Sequence, residues 1–159
     1  DLKLCPFATR VTPRIRVCRA ETDEALVEAL TAEMTYLLAN AECDTTLLVH
    51  PDMLTDFLDY NDFLSVCDEL LVHTQLEGVF QIASFHPEYQ FADTQPNDPE
   101  NFANRSPYPT LHILREEQVT QAVDSHPDVE GIPLRNALVL GEIGSPSLKD
   151  SLAGCFDDG

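Results

Sequence analysis

The stretch LEGVFQIASFHPEYQF, residues 76–91, decides how the chain is organised. VFQIASF, residues 79–85, is an apolar run typical of a buried strand, and it ends at His86-Pro87. From Pro87 to Pro109 the chain then carries five prolines and four aromatic residues. Structureless loops of this length are uncommon in compact domains and are usually functional or disordered. Because aromatic residues favour order, we expect a functional loop beyond the end of this strand.

Working outward, strand-like and helix-like segments alternate along the chain. The predicted strands are 14–20, 45–50, 79–85 and 110–116. The first helix runs from Thr22-Asp23 to about Asn40, a second begins with Asp52 as its cap, and a third begins at EEQVTQAV (116–123). This order predicts a single α/β domain over residues 1–140, βαβαβ, long loop, βα, with a mostly parallel sheet. The fourth strand is free to run antiparallel at the side of the sheet.

The predicted order is compatible with a thioredoxin-like arrangement, although the chain has no C-x-x-C motif. After the third predicted helix, Pro127, Gly131 and Pro133 break the helical pattern. The sequence from Gly141 onward is rich in Gly, Ser and Asp. We therefore expect residues 141–159 to form a loose acidic tail.

The charge balance bounds the classes of partner. Twenty-eight Asp and Glu residues against nine Lys and Arg residues give a formal net charge of −19. Such a chain repels phosphate backbones and anionic membrane surfaces, so nucleic acid is excluded as a partner. No apolar run reaches the length of a membrane span. The remaining interpretations are a solvated acidic surface and docking onto a basic protein partner.

The cysteines indicate a reducing compartment. There are five, an odd number, and their wide spacing signals neither a disulfide framework nor a zinc ribbon. The chain begins at Asp1 without a methionine, which fits a mature chain after removal of a targeting peptide. We expect a soluble compartment, either an organelle such as the chloroplast or the cytoplasm.

Histidines mark one edge of the predicted sheet. His50 and His86 each follow a strand, and ligands of open parallel sheets bind beyond the carboxyl ends of the strands. If the fourth strand is antiparallel, His112 starts at the same edge, so three imidazoles could converge under the long loop. In an enzyme, His86 and His50 would act as bases. The structural alternative is that each ring hydrogen-bonds loop backbone.

The same residues raise the question of a metal. His50, His86 and His112 with the thiolate of Cys5 make a donor set suited to a transition metal such as zinc or iron. No two of these residues lie at a spacing that is a metal-site signature. Cys5 is equally well explained as a small buried apolar residue.

Arg105 is the candidate for anion binding. An arginine in an aromatic, proline-stiffened loop of an acidic chain is suited to holding a carboxylate or phosphate in two hydrogen bonds. Tyr108, Tyr89 and Asn104 complete the predicted substrate-binding set. Alternatively, Arg105 holds the loop together through backbone carbonyls or Glu88.

Five blocks carry a resemblance to a known family: LCPFA, TTLLVHP, DFLDYNDFL, LEGVFQIASFHPEYQF and NRSPYPTLHILRE. With these, the chain resembles the DUF1415 family, found in bacteria and some algae, from Leu2 to about Asn136. Asp93 and Leu134 depart from its pattern, standing where the family has glycine and an acid. The residues that carry the pattern are Cys5, Pro6, His50, Pro51, Asp59, Asn61, Asp62, His86, Pro87, Gln90, Asn104, Arg105, Pro107, Pro109, His112, Arg115 and Glu116.

The resemblance implies no reaction, substrate or cofactor, so two functions are expected. In the first, the domain is an accessory, non-catalytic subunit docked to protein partners in a larger assembly, for example an organellar membrane complex such as an algal photosystem. In the second, it is a small enzyme or metal-binding protein that uses the histidine pocket on an anionic small molecule.

Overall fold

The computed structural model describes residues 2, 4, 5, 8 and 11–156. In the described chain, helices and strands alternate as far as the fourth strand, after which three helices follow. The elements are β1 (Pro13–Val17), α1 (Asp23–Ala39), β2 (Thr45–Val49), α2 (Phe57–His73), β3 (Phe80–Phe85), a 3₁₀ helix (Pro99–Ala103), β4 (Thr110–Arg115), α3 (Glu116–Ser125), α4 (Ile132–Ile143), α5 (Ser145–Ala153) and a short 3₁₀ turn (Gly154–Phe156).

The four strands form one mixed sheet in the order β1-β2-β4-β3. β1 is parallel to β2, while β4 lies between β2 and β3 and is antiparallel to both. The predicted α/β class is confirmed, but the mostly parallel sheet is corrected to a mixed one. The reason is that β4 inserts into the sheet instead of adding at its side. This strand order does not confirm a thioredoxin-like arrangement.

The main core lies between one face of the sheet and the helices α1 and α2. Strand alternation turns Leu48, Leu111 and Ile113 towards these helices. Leu26, Leu30, Met34 and Leu37 of α1, and Tyr60, Phe63, Cys67 and Leu71 of α2, are buried against them. Each fully buried side chain of this size contributes roughly 1.5–3 kcal/mol to folding. The buried apolar positions of both helices therefore face the sheet.

The two long helices begin at residues that cap them. Thr22 accepts a hydrogen bond from the Ala25 N–H, as predicted for α1. For α2 the predicted cap Asp52 is wrong, because Asp56 accepts from the N–H groups of Leu58 and Asp59. Asp52 instead binds the guanidinium of Arg19 through both carboxylate oxygens. The three residues between the two aspartates, Met53, Leu54 and Thr55, therefore precede the helix and do not form its first turn.

Arg115, at the end of β4, ties the sheet to α1. Its guanidinium donates to the carbonyl oxygens of Leu37, Asn40 and Cys43, at and beyond the C-terminal end of that helix. The last carbonyls of a helix lack partners within it, so a cation here both satisfies and stabilises them. One residue of the family pattern therefore has a structural role.

The C-terminal region differs from the expected loose tail. Residues 132–153 form α4 and α5, joined at Gly144, whose φ of 79° suits glycine. α4 packs on the 3₁₀ helix, and Leu140 and Leu148 are buried. Pro133 and Pro146 stand in the first turns of these helices, where proline is tolerated because no N–H is needed. Residues 157–159 of the expected tail lie outside the described residues.

Within the described ranges, no helix combines the length and apolar character needed to cross a bilayer.

Candidate functional site

The loop after β3 and the turn after β2 meet at one edge of the sheet. His50 directly follows β2 and His86 directly follows β3, as the sequence predicts. The His50 N–H donates to the Pro109 carbonyl oxygen, and the His86 N–H donates to the Asn104 carbonyl oxygen. Both backbone bonds hold residues 104–109, the end of the loop, against the strand ends.

Tyr60 of α2 lies between the two imidazoles. Its ring centroid is 5.9 Å from that of His50, in a stacked arrangement, and 5.1 Å from that of His86. Its hydroxyl donates to the Thr110 carbonyl oxygen at 2.9 Å and accepts from the Phe85 N–H at 3.1 Å. A single buried phenol therefore joins the end of β3 to the start of β4, and burial raises the pKa of this hydroxyl.

Both ring nitrogens of His86 are used. Nδ1 accepts from the Glu88 N–H at 3.0 Å, so the proton is on Nε2, which donates to the Leu54 carbonyl oxygen at 3.1 Å. Leu54 has a φ of 54°, a left-handed conformation rarely adopted by leucine. Burial lowers the pKa of His86. The ring is therefore a neutral connector between two loops, the structural alternative given for it above.

His50 uses one ring nitrogen. Nδ1 donates to the Met53 carbonyl oxygen at 3.1 Å, so Nε2 carries the lone pair. That Nε2 is buried and has no hydrogen-bond partner among the described residues. Burial, with a smaller contribution from the nearby His86, lowers the pKa of His50 to about 4. The ring is therefore neutral at physiological pH.

His112 does not join the other two histidines. It pairs with Leu47 and Ala83 in the sheet, and strand alternation turns all three side chains to the face opposite α1 and α2. Its ring lies 5.9 Å from that of Phe85, and its buried Nε2 has no partner in the described part of the chain. Burial lowers its pKa as well. The expected convergence of three imidazoles is thus replaced by a pair and a separate ring.

The proposed metal ligands are dispersed. Cys5 is exposed, and in residues 2, 4, 5, 8 and 11–156 no three His, Cys, Asp or Glu side chains are grouped so that they could hold a metal ion. His86 has no ring nitrogen left for a ligand, because backbone groups occupy both. Of the three predicted imidazoles, those of His50 and His112 each keep a buried Nε2 that has no hydrogen-bond partner among the described residues.

Arg105 stabilises the loop from within. Its Nε donates to the Tyr89 carbonyl oxygen at 3.2 Å and one terminal nitrogen donates to the Pro96 carbonyl oxygen at 2.7 Å. The guanidinium also lies 4.4 Å from the centre of the Phe102 ring. Both named hydrogen bonds go to backbone, which matches the structural alternative given for this residue. Its position still leaves the side chain on the wall of a groove.

That groove has a volume of about 750 Å³. Its walls come from the start of α2, the long loop and α5. The apolar lining includes Phe57, Leu58, Phe102, Leu152 and Phe156, and the charged lining consists of Asp56, Glu88, Arg105 and Lys149. The groove therefore pairs an aromatic and aliphatic floor with two carboxylates and two cations.

The other predicted substrate-binding residues lie around this groove but do not line it. Tyr89 packs between Phe57 and Phe91, with ring centroids 5.2 Å and 5.0 Å away. Asn104 donates to the Ser84 carbonyl oxygen, and the ring of Tyr108 meets that of Phe156 edge-on. Tyr108 and Tyr89 therefore each contact one groove residue, Phe156 and Phe57, while Asn104 fixes the loop.

Sequence reasoning missed several residues that build the site. Asn101 is fully buried, accepting from the Phe91 N–H and the Thr94 hydroxyl and donating to the Gln95 carbonyl oxygen. Lys149 donates to the Asn97 side chain and joins α5 to the loop. The apolar stripe of α2 predicts burial of Tyr60, but no signal in a single sequence indicates the partners of its hydroxyl.

The family model described as "Protein of unknown function (DUF1415)" matches residues 1–150. The chain belongs to the DUF1415 family. The match extends past Asn136, where the resemblance ended, through α4 and into α5, so it includes Lys149, whereas the groove residues Leu152, Ala153 and Phe156 lie beyond it. Neither the curated proteins nor the solved structures offered a match.

One of the two expected departures from the DUF1415 pattern, Asp93, has a left-handed backbone. Its φ is 64°. This left-handed conformation costs glycine nothing and is tolerated by aspartate better than by most residues. The other departure, Leu134, lies exposed on α4.

Proposed function

We propose that this DUF1415 domain is an accessory, non-catalytic subunit that docks onto a larger protein assembly through the groove. The observation that carries the proposal is an apolar surface left open at the groove. Leu58 is 70% exposed and Phe156 is 54% exposed, and both line it. Contiguous apolar surface of this kind on a folded domain marks an interaction site more often than a solvated surface.

The state of the candidate catalytic groups supports binding over catalysis. His86 has both ring nitrogens bonded to backbone, and the two named hydrogen bonds of Arg105 go to carbonyl oxygens of the loop. A general base needs a free nitrogen within reach of its substrate. His50 has a free Nε2, but this atom is buried and the residue does not line the groove.

The charges of the groove suit a polypeptide segment. Asp56 and Glu88 stand with Arg105 and Lys149 around an apolar floor. A mixed rim around an apolar centre is the usual anatomy of a protein interface. With a chain charge of −19, nucleic acid remains excluded from the proposal.

For the assembly itself we propose an organellar membrane complex, of which an algal photosystem is one example. The strongly acidic chain supports docking to basic protein partners, and five free cysteines suit a reducing compartment. The domain would reside in a reducing, soluble compartment of the organelle, for example in the chloroplast, and the alternative is the cytoplasm.

Native-gel migration of the protein from its own cells tests the docking proposal. We expect the wild-type chain in a large complex, and Leu58→Glu released to a small species because a charge would enter the apolar groove. Leu38→Glu, the same change at an exposed leucine of α1 outside the groove, should stay in the complex. A wild-type chain that migrates alone would overturn the proposal.

A second candidate function is binding of an anionic small molecule. It is favoured by the presence of Arg105 and Lys149 on the walls of the same groove. Here inorganic phosphate and a dicarboxylate should raise the melting temperature of the wild-type protein, but not that of Lys149→Gln. Elemental analysis of the native band for zinc or iron tests the accompanying metal-binding proposal. If neither anion raises the melting temperature, anion binding is rejected, and if the band contains neither metal, metal binding is rejected.

A further inference from the structure

β1 lies at the open edge of the sheet. The Thr12 carbonyl oxygen accepts from the Asp44 N–H, and the Cys18 N–H donates to the Val49 carbonyl oxygen, so these groups face β2. Because successive residues of a strand point their backbone groups to opposite sides, those of Ile15 and Val17 face away from β2. Within the described residues no other segment pairs with this side of β1.

The side chains of the same two residues are apolar and uncovered. Ile15 is 68% exposed and Val17 is 51% exposed. They pair with Leu47 and Val49 of β2, so the four side chains form one apolar strip on the sheet face opposite α1 and α2. Two N–H groups and two carbonyls that are unpaired within the described residues therefore lie beside an apolar strip, which is the arrangement that accepts an added strand.

The edge has protective residues, but they do not cover this strip. Proline and charged side chains commonly guard edge strands, and β1 has Pro13, Arg14 and Arg16. Both arginines lie on the α1 face, where their Nε atoms are 2.9 Å and 3.9 Å from the buried carboxylate of Glu33. They leave the backbone groups and side chains of Ile15 and Val17 accessible in the described chain.

Charge indicates the kind of strand that fits. Five of the nine Lys and Arg residues precede residue 20 in a chain that carries −19 overall. Arg14 and Arg16 share the single carboxylate of Glu33, and the Arg16 side chain is 58% exposed. The two arginines of this edge therefore outnumber the carboxylate that pairs with them, which favours Asp or Glu side chains on an added strand.

A second copy of the chain is a poor occupant. Pairing two β1 strands antiparallel about Ile15 places Arg14 of each copy opposite Arg16 of the other. Like charges directly opposite each other destabilise a strand pair. Two copies, each with a net charge of −19, repel each other further.

We propose that the open edge of β1 accepts an extended acidic segment of a partner protein as an added strand. The main chain of the segment bonds to the N–H and C=O groups of Ile15 and Val17, and its apolar side chains cover theirs. Its Asp or Glu side chains alternate to the other face and meet Arg14 and Arg16. This surface shares no residue with the groove, and the proposal does not depend on groove binding.

The test uses the full chain and a labelled acidic peptide in which valine and glutamate alternate. The control is a basic peptide of the same length in which valine and lysine alternate. Fluorescence anisotropy should detect binding of the acidic peptide and at least about tenfold weaker binding of the basic one. Val17→Pro removes one outward N–H and leaves the β2 ladder intact, so it should weaken binding about tenfold. Val17→Thr keeps the N–H and the branched side chain, and should stay within about threefold.

Arg16→Glu should reverse the preference between the two peptides. If Val17→Pro does not fold, the acidic peptide carrying N-methyl groups at alternate positions makes the same test, since it lacks donors for the edge and leaves the protein unchanged. Equal binding of both peptides, or binding that survives both backbone blocks, would overturn the proposal.

Amide hydrogen exchange identifies other occupants. In the free protein the Val17 amide should exchange quickly and become protected when the acidic peptide is added. A Val17 amide already protected in the free monomer would mean that another part of this chain covers the edge. A dimer in sedimentation that Val17→Pro dissociates would mean that a second copy does. Either result would overturn the proposal of a partner segment.

Discussion

At the scale of the residue, the hydroxyl of Tyr60 is the most consequential single group at the histidine edge. It satisfies a carbonyl of β4 and an N–H at the end of β3, two strands joined through a long loop. Its ring also separates His50 from His86. Removing the hydroxyl leaves both backbone groups without this partner in a buried place, where an unsatisfied group costs about 1–3 kcal/mol.

We therefore expect Tyr60→Phe to lower the free energy of unfolding by about 2–3 kcal/mol, measured by urea denaturation. The control is Tyr108→Phe, because Tyr108 is 44% exposed and its hydroxyl has no hydrogen bond with the described residues. That variant should lie within about 0.5 kcal/mol of wild type. Equal effects from the two changes would contradict the role assigned to Tyr60.

Residue placement was predictable where it follows from strand ends. His50 and His86 each terminate a strand running the same way, so both had to meet at one edge. His112 was not predictable, because the face that a side chain takes depends on register, and a shift of one residue reverses it. Pairing with Leu47 and Ala83 turns His112 away from the other two.

At the scale of the element, the start of α2 separates two aspartates that look alike in the sequence. Asp56 caps the helix through two backbone N–H groups, whereas Asp52 makes an exposed ion pair with Arg19. We expect Asp56→Ala to cost about 1 kcal/mol of stability. Asp52→Ala should cost less than about 0.5 kcal/mol, because exposed ion pairs contribute little. If urea denaturation shows a larger loss of stability for Asp52→Ala than for Asp56→Ala, Asp52 and not Asp56 caps the helix.

The junction of α4 and α5 offers a matched pair of glycines. Gly144 has a φ of 79°, so Gly144→Ala should cost about 1–3 kcal/mol and loosen the α5 wall of the groove. Gly141 lies inside α4, and a Cβ there meets nothing within 4 Å. Gly141→Ala should therefore raise the free energy of unfolding by about 0.5–1 kcal/mol. Two losses of similar size would contradict this placement of the helices.

The C-terminal helices show why element prediction failed there. In a linear pattern Gly131 and Pro133 indicate a break in the helix, and the Gly, Ser and Asp content after Gly141 indicates a loose tail that includes Gly144 and Pro146. In the fold the prolines occupy first turns and the glycines stand just before the helices. The long amphipathic helices α1 and α2 were predictable because their apolar periodicity extends over several turns.

At the scale of the whole molecule, the position of β4 decides the architecture. Strand and helix alternation predicts the α/β class, but nothing local indicates that β4 inserts between β2 and β3. The position of β4 in the sheet depends on pairings between residues more than sixty positions apart in the sequence, such as Thr46 with Ile113. The same insertion places Tyr60, Thr110 and Phe85 together, so the site depends on a contact that the sequence alone does not reveal.

The neutral histidines make global stability depend on pH. Burial lowers the pKa of His50 to about 4, below its ordinary value of 6.5, and it lowers the pKa values of His86 and His112 as well. Between about pH 4 and pH 6.5, His50 binds more protons in the unfolded chain than in the folded one. The free energy of unfolding therefore falls as the pH falls. The contribution of His50 is complete above about pH 6.5 and is lost by about pH 4.

His50→Asn isolates this contribution, since the asparagine amide can still donate to the Met53 carbonyl oxygen but does not titrate. Between pH 7 and pH 4 we expect the wild-type free energy of unfolding to fall by about 3 kcal/mol more than that of the variant, measured by urea denaturation at each pH. Asp44, whose pKa is lowered mainly by the Thr12 N–H, loses stability with acid in both proteins and cancels in the difference. Parallel pH profiles for the two proteins would mean that His50 is protonated or exposed in the folded state. The histidine edge would then be accessible to ligands, and the balance between the two candidate functions would move towards the anionic small molecule.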